Sequence, residues 1–112
     1  MFLATKGTLT LRHGNNALVE NNVFIGNNIS KTGGIRIINE GHIVRNNLLV
    51  GLKGDGFRGP IVLMNGVPNS PLNRYNQVKN VDVQHNTIIN CGPIEFAAGK
   101  DSERSLPPIN TI

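Results

Sequence analysis

Apolar and polar residues alternate in short runs along this chain. Leu9 and Leu11 flank Thr10, Ile35 and Ile37 flank Arg36, Val81 and Val83 flank Asp82, and Ile94 and Phe96 flank Glu95. A period of two puts alternate side chains on opposite faces of a strand. The runs are rich in β-branched residues and separated by Gly and Asn, the chemistry of strands joined by sharp turns. No helical stripe of useful length is present.

The runs also repeat. Gly7 to Arg12 followed by Ala17 to Gly26 matches Gly33 to Ile38 followed by His42 to Gly51. Gly59 to Met64 comes next, then a detour, then Val81 to Asn90, and a further copy opens at Gly92 to Phe96. Leu9, Ile35 and Ile61 fall roughly 26 residues apart, a period that marks a solenoid with one coil per repeat. The Leu-x-x-Leu-x-Leu spacing of leucine-rich repeats is absent. The pattern predicts an all-β chain folded as a parallel β-helix with three short strands per coil. In the first coil these are Thr8 to Arg12, Ala17 to Val19 and Val23 to Ile25. Asn22, Asn47 and Asn86 each precede a third strand. They are expected to take the left-handed backbone of a sharp bend and to hydrogen-bond from coil to coil as a ladder.

Composition narrows the class. With 112 residues, 38% hydrophobic and only 4% aromatic, the chain suits a narrow core of stacked aliphatics. We read residues 1–112 as one partial β-helix domain carrying an inserted loop at 65–78, the third coil being about 13 residues longer than the second. The net charge of +4 suits an anionic partner, but no basic run with interleaved aromatics points to nucleic acid. The single Cys91 allows no internal disulfide and sits in no metal-ligand pattern. No apolar stretch is long enough to span a membrane, and Met1 to Lys6 lacks the basic start of a signal peptide. Nothing before Gly7 is long enough to cap a coil, and Leu106 to Ile112 reads as the start of another strand. The expectation is a piece of a longer β-helix, able to self-associate end to end through uncapped coils.

Stacking aligns Thr10, Arg36 and Val62 on the outer face of the first sheet, and Glu95 joins them if the long third coil loops out. Arg12 lies on that face one step along, above Ile38 and Met64. Coil and strand spacings put Arg12 and Arg36 roughly 8 Å apart at Cα, close enough to flank one anionic chain. Two guanidinium groups there suit a carboxylate or sulfate; the plain alternative is two solvated arginines. His13 begins a turn beside Arg12, and Arg58 edges the same groove ahead of the third coil. The inserted loop can rise beside this face, which makes Arg74 and Tyr75 candidate substrate contacts, Tyr75 offering a ring for a sugar. His42 and His85 read as structural, His85 standing where Asn21 and Asn46 stand. Lys6 and Lys31 read as solvated turn residues.

Thr8 to Asn15, with Arg12-His13-Gly14-Asn15, resembles polysaccharide lyase family 6, the alginate lyase and chondroitinase B family. The similarity continues through Val19 to Asn27, Thr32 to Ile37 and Leu106 to Thr111. The resemblance implies a right-handed single-stranded parallel β-helix that cleaves a uronate-containing polysaccharide, alginate foremost, by β-elimination. It implies a calcium ion that neutralises the substrate carboxylate, a Lys base, and an Arg matching Arg12 that stabilises the leaving oxygen. Arg36 resembles a substrate-binding Arg, and His13 the neighbouring groove His. The base Lys and the acidic calcium ligands of that pattern have no counterpart in this chain, and Lys6 is on the wrong coil. The parent is thus expected to be a lyase and this piece inactive alone. The resemblance also implies a periplasmic or extracellular setting. The alternatives are a non-catalytic, adhesin-like β-helix binding an acidic glycan, and a truncated reading frame without a function of its own.

Overall fold

The computed structural model describes residues 2–3, 9–12, 14–69, 75–99, 105–109 and 111. Its strands run in order β1 (Phe2–Leu3), β2 (Leu9–Leu11), β3 (Leu18–Glu20), β4 (Val23–Ile25), β5 (Ile35–Ile37), β6 (Ile43–Arg45), β7 (Leu48–Val50), β8 (Ile61–Met64), β9 (Asp82–Gln84), β10 (Thr87–Ile89) and β11 (Glu95–Ala98). One 3-10 turn, Gly56–Arg58, precedes β8.

Every third strand pairs with its counterpart in the next coil. The three sheets are β2-β5-β8-β11, β3-β6-β9 and β1-β4-β7-β10. All pairings between these strands are parallel, with Leu9 opposite Ile35 and Ile35 opposite Ile61 in the first sheet. Parallel strands of right-handed twist are joined by right-handed crossovers, and the result is a right-handed parallel β-helix. Because a strand's side chains alternate, one register fixes two columns. Ile35, Ile37, Ile61 and Leu63 point inward with Val19, Val44, Phe24 and Leu49 and form one buried core. Thr10, Arg36, Val62 and Glu95 share the outward column.

At the rung that ends the described stack, Ile94 and Phe96 are 49% and 53% exposed, although Phe96 is paired with core-facing Leu63. Beyond β11 the described residues do not form a regular strand. Leu106 makes an antiparallel bridge to Gly66, and Ile109 a parallel one to Lys79. The region 106–112, read as the start of a strand, thus contributes isolated rungs among its described residues. Of the inserted loop, residues 65–69 and 75–78 are described; Val67 N–H donates to the Tyr75 carbonyl, which closes the loop's base.

The ladder of amides is present. Asn47 Oδ1 accepts from the Asn22 backbone N–H (3.0 Å) and from Asn22 Nδ2 (3.3 Å). Asn47 Nδ2 donates to Asn86 Oδ1 (2.9 Å) and to the Val19 carbonyl (3.0 Å). The left-handed residues are not these three but their predecessors: Asn21, Asn46 and His85 have φ of 58°, 55° and 55°. The division follows from what each position does. The bend needs positive φ one residue early, which frees the next amide to lie along the stack. His85 stands in that bend column, as the repeat predicts.

His42 lies in the corner between the first and second sheets, 1% exposed. The Ala17 N–H donates to its Nδ1 (3.1 Å), so its Nε2 carries the proton and donates to the Ile38 carbonyl (2.8 Å). Burial lowers its pKa below the usual 6.5, the bond to Ile38 opposing this in part.

The Asn47→Ala variant should lose about 2–5 kcal/mol, because it strands several polar groups around a site 2% exposed. Asn22→Ala, at the partly exposed end of the ladder, should cost clearly less; equal losses in urea unfolding would contradict the ladder's role. For His42 the folded pKa lies below the unfolded one, so its contribution is complete above pH 6.5 and drains away as pH falls toward the folded value. Urea midpoints measured on either side of that range should drop on acidification, and His42→Gln should remove that part of the slope.

Candidate functional site

The outer face of the first sheet is not the open surface that its alternation suggests. Val62 is 0% and Met64 3% exposed, although both point away from the core. With Ile38 they form a second apolar cluster, against which Tyr75 and Ala98 pack. Two pieces of chain cover the face. One is the returning limb of the inserted loop, which brings Tyr75. The other is the 3-10 turn, whose Phe57 remains 45% exposed. At the far rung a bulge in β11 leaves Ala97 at φ 58° and shifts Ala98 into register with Met64. That left-handed Ala costs about 1–2 kcal/mol and lets Ala98 complete the cluster.

This apolar layer carries the cations. The Arg12 guanidinium carbon lies 4.8 Å from the Tyr75 ring centroid. Arg36 and Arg58 both approach the Phe57 ring, at 5.6 and 4.6 Å. Such pairs hold a guanidinium in place through the negative face of the ring. Arg36, Phe57, Met64, Tyr75 and Gly99 line one cavity of about 210 Å³. The Nε of Arg36 is itself shut off from water and has no hydrogen-bond partner among the described residues. The Nε of Arg12 is also shielded from water. Burying the Arg36 donor without such a partner costs free energy.

The sequence candidates therefore divide by position. Arg12, Arg36, Arg58 and Tyr75 come together on one outer face through two aromatic rings. Glu95 shares the column, and its side chain approaches Gly59, but it is not among the described residues lining the cavity. His13 and Arg74 lie outside the described residues. Phe57 escaped the sequence reading. Its signal was a lone aromatic next to Arg58 in a chain holding four Phe and one Tyr, and only the folded turn shows that it backs Arg36 as well.

Among the described residues no group of three or more His, Cys, Asp and Glu could hold a metal ion. The described residues do not fit a calcium site. No helix among them is long and apolar enough to cross a membrane.

A family model described as chondroitinase B matches residues 1–108. Solved structures match over nearly the whole chain. The family 6 alginate lyase AlyGC is 56% identical with a TM-score of 0.95, over 98% of this chain and 15% of that one. A mannuronic acid specific family 6 lyase from human gut microbiota is 33% identical with a TM-score of 0.81, over 98% of this chain and 25% of that one. A family 6 polysaccharide lyase from Pseudopedobacter saltans is 27% identical with a TM-score of 0.80, over 97% and 30%. No curated protein matches. The chain thus spans between 15% and 30% of these three structures. It belongs to the chondroitinase B family, the group of family 6 polysaccharide lyases, and has their β-helical fold.

Proposed function

We propose that this chain is the substrate-facing segment of a lyase that cleaves a uronate-containing polysaccharide, alginate foremost, by β-elimination. The observation that carries the reading is the gathering of Arg12, Arg36 and Arg58 on the rings of Tyr75 and Phe57, which line one cavity with Arg36. A carboxylate is the natural partner for such cations, and a guanidinium binds it with two parallel hydrogen bonds. The low polarity of the Ile38–Val62–Met64 layer behind it strengthens that attraction.

In the elimination the C5 proton leaves, its electrons form the C4=C5 double bond, the C4–O4 bond breaks, and O4 takes up a proton. Negative charge develops on the carboxylate side during proton loss and on O4 during departure. Arg36 serves the first by holding the carboxylate. Arg12, fixed against Tyr75, serves the second by stabilising the leaving oxygen, since a guanidinium gives up its own proton reluctantly. His13, Arg74 and Glu95 complete the set of proposed substrate contacts. The base that takes the C5 proton, and the calcium ion implied by the family resemblance, belong on this reading to other parts of a longer, exported parent. The same Arg face would equally suit a non-catalytic module that binds acidic glycans, and activity separates the two only in that parent.

The 112-residue chain mixed with alginate and calcium should produce no absorbance from new unsaturated ends. It should nevertheless bind uronate oligomers, and Arg36→Ala should weaken that binding by about tenfold or more, the loss of a charge-assisted bidentate contact. Steady turnover by the isolated chain would refute its inactivity. Failure of the folded wild-type chain to bind any uronate oligomer in calorimetry would overturn the glycan reading.

A further inference from the structure

We infer that Phe57 is a positioning residue, one that fixes Arg36 and Arg58 as a pair for recognising an anionic sugar chain. The inference rests on the acidic-glycan reading above and adds to it a residue and a device.

Three observations meet at this side chain. First, one ring serves two guanidinium groups, at 5.6 and 4.6 Å from its centroid. The two guanidinium carbons are therefore no farther apart than the sum of those distances. Two like charges at such range repel, and on free side chains they would splay into solvent. The ring's negative faces offset that repulsion and hold both in place. Second, Phe57 remains 45% exposed on a chain with few aromatics, so burial of the ring does not explain its position. Third, the ring lines the same cavity as Arg36 and Tyr75, and the Arg36 Nε has no hydrogen-bond partner among the described residues.

The turn that presents the ring is itself specialised. Gly56 has φ +55°, a conformation that strains other residues, and open space where a side chain would stand. The Gly59 N–H closes the turn onto the Gly56 carbonyl, and Gly59 itself has no room for a Cβ, which would lie 2.8 Å from the Pro93 carbonyl oxygen on the next rung. Two glycines thus clamp the dipeptide Phe57-Arg58, whose projecting side chains are an aromatic and an Arg. Tyr75, which lines the same cavity, does the same for Arg12. The site is therefore organised as cations held on rings, and Phe57 is the ring that serves two of them.

The test compares uronate-oligomer binding by calorimetry for wild type, Phe57→Tyr, Phe57→Leu and Arg58→Ala, all on the 112-residue chain with its unfolding midpoint recorded. Phe57→Tyr keeps a ring and should bind within about threefold of wild type. Phe57→Leu keeps apolar bulk without a ring face and should weaken binding by about tenfold at an unchanged unfolding midpoint. The double variant Phe57→Leu, Arg58→Ala should be little worse than Phe57→Leu alone, because loss of the ring already releases Arg58 along with Arg36. The arginine Nε–H resonance of Arg36 should also lose its ring-current shift in Phe57→Leu. Binding by Phe57→Leu equal to wild type, or fully additive losses in the double variant, overturns this inference and leaves the glycan reading standing. No binding by wild type overturns both. Should Phe57→Leu not fold, the Arg36 ring-current shift in wild type and Phe57→Tyr, and the loss of affinity in Arg58→Ala, decide in its place.

Discussion

Parallel pairing between successive coils is the constraint on which this structure depends. Each strand is only two to four residues long, too short to be stable alone, and gains its ladder hydrogen bonds from neighbouring coils. Register is therefore decided collectively. A slip by one residue would turn every side chain of a rung to the opposite face. Arg36 would then enter the core, and Ile35 and Ile37 would leave it. The Asn22–Asn47–Asn86 ladder opposes such a slip, because its amides bond both to one another and to the Glu20, Val19 and Val44 carbonyls. Those bonds close only when the three coils are aligned at the third-strand corner. The same alignment, carried round the coil, sets Thr10, Arg36 and Val62 in one column.

Columns alone would make a flat basic surface. What turns it into a site is the second layer of packing outside the first sheet. Phe57 and Tyr75 arrive from connections rather than strands, and with Ile38, Val62 and Met64 they line the face with carbon. Guanidinium groups resting on such a layer are partly desolvated, so an anion reaching them meets a stronger field than it would from arginines in free water. The arrangement costs stability, since an Arg36 Nε buried without an acceptor among the described residues and a left-handed Ala97 are both unfavourable. A chain folding for stability alone would fill this face with neutral aliphatics, as the inner face does.

Much of this was legible in the order of residues, and the reasons it stopped being so are physical. The spacing of Leu9, Ile35 and Ile61 specifies both coil and register, because in a solenoid the neighbours in space are set by a constant offset in sequence. Asn22, Asn47 and Asn86 could be read as a ladder for the same reason, whereas their backbone conformation could not. An Asn-Asn pair is chemically ambiguous about which member bends, and the structure gives the bend to Asn21 and Asn46. Val62 was read as surface from strict alternation, but its burial comes from Tyr75 and the 3-10 turn, whose landing place no periodicity encodes. Phe57 was missed on the same ground. His42 was read as structural, and the structure adds that its two ring nitrogens bridge the Ala17 N–H and the Ile38 carbonyl.

In a solenoid, each rung touches only its neighbours, and stability and geometry are built locally. Arg12 rests on Tyr75, Arg36 and Arg58 rest on Phe57, and all five lie within three adjacent coils. The cationic half of the proposed site therefore needs no remote part of a longer parent to take shape. Elimination also requires a base on the C5 proton, and no such group has been assigned among these rungs. On the reading proposed above, a cationic face that assembles by nearest-neighbour stacking and a base placed on a different set of coils are separable in principle, because nothing in the packing of the face requires the base. Recognition of an acidic chain and its cleavage would then be distinct properties of distinct rungs, joined only where the stack is continuous.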